Sequence, residues 1–128
     1  MRFLFPLLPA EFEIPDEWWI EAGMAGFTPS APAYLSTATT THTIPLRQIE
    51  PPARHPEHPL SWRGFDRARL ISLLTGIPTG AEIEPVPVVE LPAAEFPPSP
   101  FRYRVRDGYH RFYASVAAGF ECLPVVMP

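Results

Sequence analysis

Asp107, Gly108, Tyr109, His110 and Arg111 place a carboxylate, a glycine, an imidazole and a guanidinium in one unbroken run. Behind them Tyr109, Phe112, Tyr113, Val116, Ala117 and Phe120 recur at i, i+3, i+4, i+7, i+8 and i+11, one face of an amphipathic helix. The run therefore reads as a strand end, a glycine turn and a helix start, with Gly119 where a left-handed residue would close the helix. His110 and Arg111 lie off the apolar face. The first turn of a helix has unpaired N–H groups and a partial positive charge, so an arginine there calls for a negative partner. Two partners meet that demand equally. Asp107 can cap the helix and hold Arg111, or a phosphate can sit at the helix N-terminus. In the second case Gly108 lets the phosphate approach the backbone, and His110 and Arg111 donate hydrogen bonds to it. Tyr109 can stack or hydrogen-bond near such a ligand, although its place in the apolar stripe favours core packing.

The text around this run resembles a known family. YRVRDGYHRFYASVAAGFECLPVVM is similar to the C-terminal half of the ParB/sulfiredoxin-like domain: strand, glycine turn, phosphate-binding helix, closing glycine, short strand. Upstream, IPLRQIEPPAR resembles that domain's opening strand and loop, FDRARLISLLTGI its helix, and IEPVPVVEL its next strand. The likeness spans residues 43 to 127 in the right order. ParB proteins carry G-E-R-R and then an alanine; Gly108, Arg111 and Ala114 match, while Tyr109 and His110 take the middle places. Sulfiredoxins carry G-G-C-H-R; Gly108, His110 and Arg111 match, but Tyr109 replaces the catalytic cysteine, so sulfinic acid reduction is not expected. The nearest spelling is the D-G-x-H-R form of free-standing members, ADP-dependent serine kinases among them.

That resemblance implies a bound nucleoside di- or triphosphate with Mg²⁺, and NTP hydrolysis or phosphoryl transfer as the chemistry. The phosphates would be held by Asp107, Gly108, Tyr109, His110 and Arg111, with Arg54 supplying a further contact after the first strand. It also implies a glutamate acting as base on a substrate hydroxyl. Glu50 is the candidate and Glu57 the alternative; the plainer reading of Glu50 is a solvated strand end, and of Arg54 an exposed loop arginine.

The elements that must position these residues follow from composition and pattern. A chain of 128 residues suits one domain that buries about two-thirds of its unfolded surface. Proline and glycine make up roughly a fifth of it, which predicts short elements and stiff connections rather than disorder. The expected fold is α+β: a compact single domain with a small mixed sheet and a few short helices. Residues 1 to 42 read as an N-terminal extension and loop packed on the core, and residues 43 to 128 as the ParB/sulfiredoxin-like domain.

Within the first part, residues 3 to 8 suggest a strand, and Asp16 a cap for a short helix holding Trp18, Trp19 and Ile20. Adjacent tryptophans point to different helix faces, so one is expected inside and the other at a neighbour; the pair either caps the core or anchors a partner. Residues 28 to 43, with their threonine run, predict a mobile loop or an extended edge segment able to cover a ligand. Residues 44 to 49 predict a strand with Ile44, Leu46 and Gln48 alternating. Asp66 predicts a helix cap, with Leu70, Ile71, Leu74 and Ile77 inward, Gly76 closing the helix, and Arg67 and Arg69 solvated.

VPVVE and LPVVM predict two neighbouring strands. Phe101, Tyr103 and Val105 alternate with Arg102, Arg104 and Arg106, which puts three arginines on one sheet face. Those arginines are answered by Glu84 or Glu90, by solvent, or by a ligand's phosphates. The connection from 92 to 100 reads as a stiff hairpin link.

A net charge of −4 argues against nucleic acid as a partner, since a DNA-binding face must neutralise many phosphates. The opening apolar residues are broken by prolines and too short for a membrane span, and they make a poor signal peptide. The single Cys122 reads as a small buried residue and excludes an internal disulfide framework. A cytoplasmic place is expected. His55 and His58 are separated and followed by prolines that forbid a regular helix, so no metal site is assigned to them. Beside the nucleotide reading stands a different class: a non-catalytic interaction protein, antitoxin-like or regulatory. It would keep the fold and contact a protein partner or a second copy through Trp18 and Trp19 or the 28 to 43 loop.

Overall fold

The computed structural model describes residues 1–7, 11–37, 42–54, 56–92 and 99–127. The chain is an α+β domain; among the described residues it has three α-helices, a two-stranded sheet and a five-stranded mixed sheet. In chain order the elements are β1 (Arg2–Leu4), β2 (Glu11–Glu13), α1 (Asp16–Glu21), β3 (His42–Pro45), β4 (Ile49–Glu50), α2 (Arg67–Thr79), β5 (Val86–Glu90), β6 (Tyr103–Val105), α3 (Tyr109–Ala118) and β7 (Cys122–Val126).

The large sheet runs β3-β7-β5-β6-β4. Its centre is the parallel pair β5 and β7, with Val86 opposite Val125 and Pro87 opposite Val126, so the two similar strand texts are indeed neighbours. Val86, Val88, Leu123 and Val125 are buried there. β6 returns antiparallel to β5, and its chain then turns at Gly108 into α3, which leads back to β7. Arg102, Arg104 and Arg106 are exposed, as the alternation predicts. The carboxylate answering Arg104 is Glu50, 3.4 Å away on the neighbouring β4, rather than Glu84 or Glu90. Most of the link from 92 to 100 lies outside the described residues.

The sequence from 44 to 49 does not make one strand. β3 ends at Pro45, a single 3-10 turn follows over Leu46–Gln48, and β4 begins at Ile49. Ile44, Leu46 and Ile49 are all buried, a spacing that a turn permits and strict alternation does not.

α2 likewise runs past its expected end. Gly76 is inside the helix, and the residue that closes it is Gly80, left-handed at φ 73° with its N–H on the carbonyls of Gly76 and Ile77. Gly76 is an ordinary helical residue whose added Cβ would lie 3.4 Å from Ala81 Cβ on the returning chain, an ordinary contact distance. Asp66 does cap α2, accepting the Arg69 N–H at 2.9 Å. Gly119, at φ 88°, closes α3 as expected.

The N-terminal residues share the same core. β1 and β2 form an antiparallel pair that brings Phe3 opposite Phe12. Phe12 packs against Phe3, Phe5, Phe65 and Tyr113. Asp16 is the first residue of α1 and caps nothing; Pro15 holds the cap position, and Asp16 accepts from the Met1 amino group at 2.7 Å. Both tryptophans are buried, Trp18 against Trp62 and Trp19 against Phe3, so neither stands out as a partner anchor. Of the strand expected over 3 to 8, the described residues form Arg2–Leu4, and residue 8 lies outside the described residues.

Residues 32 to 37 are tethered rather than loose. Ser36 bridges Ile83, Ile83 N–H donates to Leu35, and the Tyr34 hydroxyl donates to the Glu84 carbonyl at 2.6 Å. The threonine run at 39 to 41 lies outside the described residues.

Candidate functional site

The N-termini of α2 and α3 open onto one cleft of about 1030 Å³, at the upper limit of the size range of small-molecule sites. Five of the predicted site residues line it together: Asp107, Gly108, Tyr109, His110 and Arg111.

Gly108 sets the geometry. It sits at φ 126°, which side-chain-bearing residues rarely adopt, and a Cβ would approach Val86 Cγ1 to 2.9 Å. The tight turn thus lays the start of α3 directly on the central strand. The N–H groups of Tyr109, His110 and Arg111 have no partner within the helix, no side chain among the described residues caps it, and the first bond runs from Phe112 N–H to the Gly108 carbonyl at 2.9 Å.

Asp107 therefore does not cap α3, nor does it hold Arg111. Arg111 Nη1 instead donates to the carbonyls of Pro85 at 2.7 Å and Glu84 at 3.3 Å, just before β5. The Glu84 carbonyl takes the Tyr34 hydroxyl as well, so α3 and the 32 to 37 segment hold the same peptide. A guanidinium has five N–H donors, and two such contacts leave others for the cleft.

His110 joins the two helices. Its Nε2 accepts the Asp66 N–H at 2.8 Å, which makes the neutral ring an acceptor at Nε2 and a donor at Nδ1. Burial holds its pKa below the ordinary value, and the cations Arg69 and Arg54 add to this, against an opposing pull from Asp66. Tyr109 is half-buried beside it, its ring on Phe65, His110 and Tyr113. Burial raises the Tyr109 hydroxyl pKa, with Arg54 opposing.

Glu50 and Arg54 are not part of the cleft lining. Glu50 is on the edge strand β4, paired with Arg104. The Arg54 guanidinium lies 4.0 Å from the Phe65 ring centroid, with Tyr113 and Tyr109 also within cation–π range. Its Nη2 donates to the carbonyls of Ser61 and Arg63, while Nε and Nη1 are buried with no hydrogen-bond partner among the described residues. Arg54 thus staples the 51 to 65 loop to the aromatic face of α3, helped by the Tyr113 hydroxyl on the Pro52 carbonyl at 2.7 Å.

The opposite wall was not read from the sequence. It comprises Ala68, Arg69, Ser72, Leu73 and Gly76 of α2, followed by Ala81, Glu82, Ile83 and Glu84. Ala68, Ser72 and Gly76 recur every fourth residue, a small-residue face beside the apolar stripe, and this was the one local signal available. Arg69, expected to be merely solvated, lines the cleft with Arg111, and Asp107, Glu82 and Glu84 are the acidic residues of the same lining.

Among the described residues no three His, Cys, Asp or Glu side chains gather into a metal-binding group. His55 lies outside the described residues. Cys122 is a free, half-buried thiol at the start of β7. Among the described residues no helix is long and apolar enough to cross a membrane. No protein-family model matches the chain, and no curated protein is similar to it.

Proposed function

We propose that the cleft binds a nucleoside di- or triphosphate with its phosphates at the start of α3. The observation that carries this reading is the uncapped N-terminus of a ten-residue helix opening into the cleft between Arg69 and Arg111. Three N–H groups that the helix cannot satisfy, a partial positive charge and two guanidiniums make a receptor for a multiply charged anion. Gly108 keeps the approach to the backbone open, and His110 offers Nδ1–H.

The carboxylates fit a cation arriving with the phosphates. Mg²⁺ commonly takes one or two carboxylates together with phosphate oxygens, and Asp107, Glu82 and Glu84 are the lining residues able to supply them. When bound, the ion would neutralise phosphate charge. What this chain contributes is the positioning of the phosphates, on which phosphoryl transfer and hydrolysis chiefly depend. The resemblance of residues 43 to 127 to the ParB/sulfiredoxin-like domain supports the same reading.

Calorimetric titration of ATP, ADP, CTP and GTP with Mg²⁺ tests it. Arg111→Ala removes a structural tether as well as a cation, so Arg69→Ala is the cleaner variant. One nucleotide should bind saturably, and Arg69→Ala should weaken it about tenfold or more, the loss of one charge-assisted contact. Failure of every nucleotide to bind a folded protein overturns the reading and moves the search to protein partners.

A further inference from the structure

We propose that the hydrogen bond from the Asp66 N–H to His110 Nε2 is a proton-sensitive latch between α2 and α3. It closes the cleft wall when the imidazole is neutral and releases it when the imidazole is charged. The latch does not rest on the nucleotide reading; only its consequence for anion binding does.

The geometry carries the argument. His110 is in the first turn of α3, and Asp66 is the residue that caps α2. Their 2.8 Å contact is a direct bond between the two helix starts that border the cleft. A neutral imidazole accepts at one nitrogen, whereas an imidazolium donates at both. Protonation at Nε2 therefore sets one N–H against another, and the bond must break. No rearrangement of the ring alone restores it.

The surroundings decide which way the latch rests. From α2, His110 feels the Arg69 cation and the Asp66 carboxylate; from the 51 to 65 loop, the Arg54 cation; and the rings of Phe65 and Tyr109 cover part of it. The other ionisable groups of the cleft are Asp107, Arg111, Glu82 and Glu84. Two nearby cations and partial burial outweigh one carboxylate, so the ring is neutral and the latch closed at neutral pH. On acidification the imidazolium repels Arg69 and releases the Asp66 peptide. The start of α2 then moves relative to α3, carrying Ala68 and Arg69 with it.

For an anion in the cleft the sign follows by linkage. A phosphate beside the ring favours its charged form, so binding raises the His110 midpoint and takes up a proton near that pH. Mildly acidic conditions would strengthen the capture of the phosphate and loosen the wall that holds the rest of the ligand.

The test needs no ligand, so its failure is separate from failure of the nucleotide reading. The full chain, labelled with ¹⁵N and with ¹³C in its histidine rings, is titrated from pH 8 downward by NMR. The Asp66 amide is expected to shift with the midpoint of the His110 ring, below 6.5. Exchange of that amide with solvent, corrected for its intrinsic pH dependence, should quicken through the same transition. His110→Gln, which keeps an acceptor that does not titrate, should abolish both responses. Arg69→Gln, which leaves the latch intact and removes a cation, should raise the midpoint, and it serves should His110→Gln fail to fold. An Asp66 amide that stays still while His110 titrates, in the wild type or in Arg69→Gln, overturns the proposal. So does a shift that persists in His110→Gln.

Discussion

Gly108 shows how little room the start of α3 allows. A side chain there must tolerate φ 126° and a 2.9 Å approach to Val86, a buried residue of the central strand. Gly108→Ala should therefore lose about 1–3 kcal/mol, seen as a lower urea midpoint, and should disturb the cleft even where the protein still folds. Arg111 poses the opposite problem, since its cation serves the fold through Pro85 and Glu84 and lines the cleft as well. Loss of binding in an Arg111 variant is evidence for a phosphate contact only when its stability has been measured alongside. At this scale the sequence was readable for identity and unreadable for partnership. That His110 and Arg111 leave the apolar stripe follows from helical period; that one accepts from Asp66 and the other donates to two carbonyls depends on chains 26 to 44 residues away.

Among the elements, α2 illustrates two uses of glycine. Gly80 has to be left-handed, and Gly80→Ala should destabilise by about 1 kcal/mol. Gly76 is helical, and the nearest neighbour to an added methyl is at ordinary contact distance, so Gly76→Ala should be neutral or stabilising by up to about 1 kcal/mol. Denaturation of the two variants side by side checks which glycine ends the helix. Both look like stop signals in the sequence; only the chain returning over Gly76 tells them apart. The cap at Asp66 is simpler. Removing it in Asp66→Ala should cost about 1 kcal/mol. The same change takes away the one carboxylate that favours the His110 cation, so the His110 midpoint should fall further in an NMR titration.

The whole molecule joins its N-terminal residues to a single core. Phe12 is fully buried among rings from β1, the 51 to 65 loop and α3. Phe12→Ala should lose about 3–5 kcal/mol in one cooperative transition that also melts α3. A segment merely laid on the surface would instead melt separately. The pH response is also global. Burial and the nearby cations depress the folded-state pKa of His110, so between that value and the ordinary 6.5 the unfolded chain binds more protons. The contribution of His110 to stability is complete above 6.5 and lost as pH falls through the folded value. Thermal melts should show a fall over that window that is shallower in His110→Gln.

Local patterns determined a good deal by themselves. The period of α3, its closing glycine, the cap of α2, the alternation that exposes three arginines and the pairing of the two valine strands all depend on neighbours a few residues apart or on matching hydrophobic text. The α+β class follows from the same signals. Tertiary structure alone decided the rest: the burial of both tryptophans, the turn that divides 44 to 49, and the separation of Glu50 and Arg54 from the cleft. It also brought Arg69 and the small face of α2 opposite the start of α3. A cleft is made where two elements fail to touch, and which faces stay apart is set by how the whole core packs, a quantity that no single stretch of sequence contains.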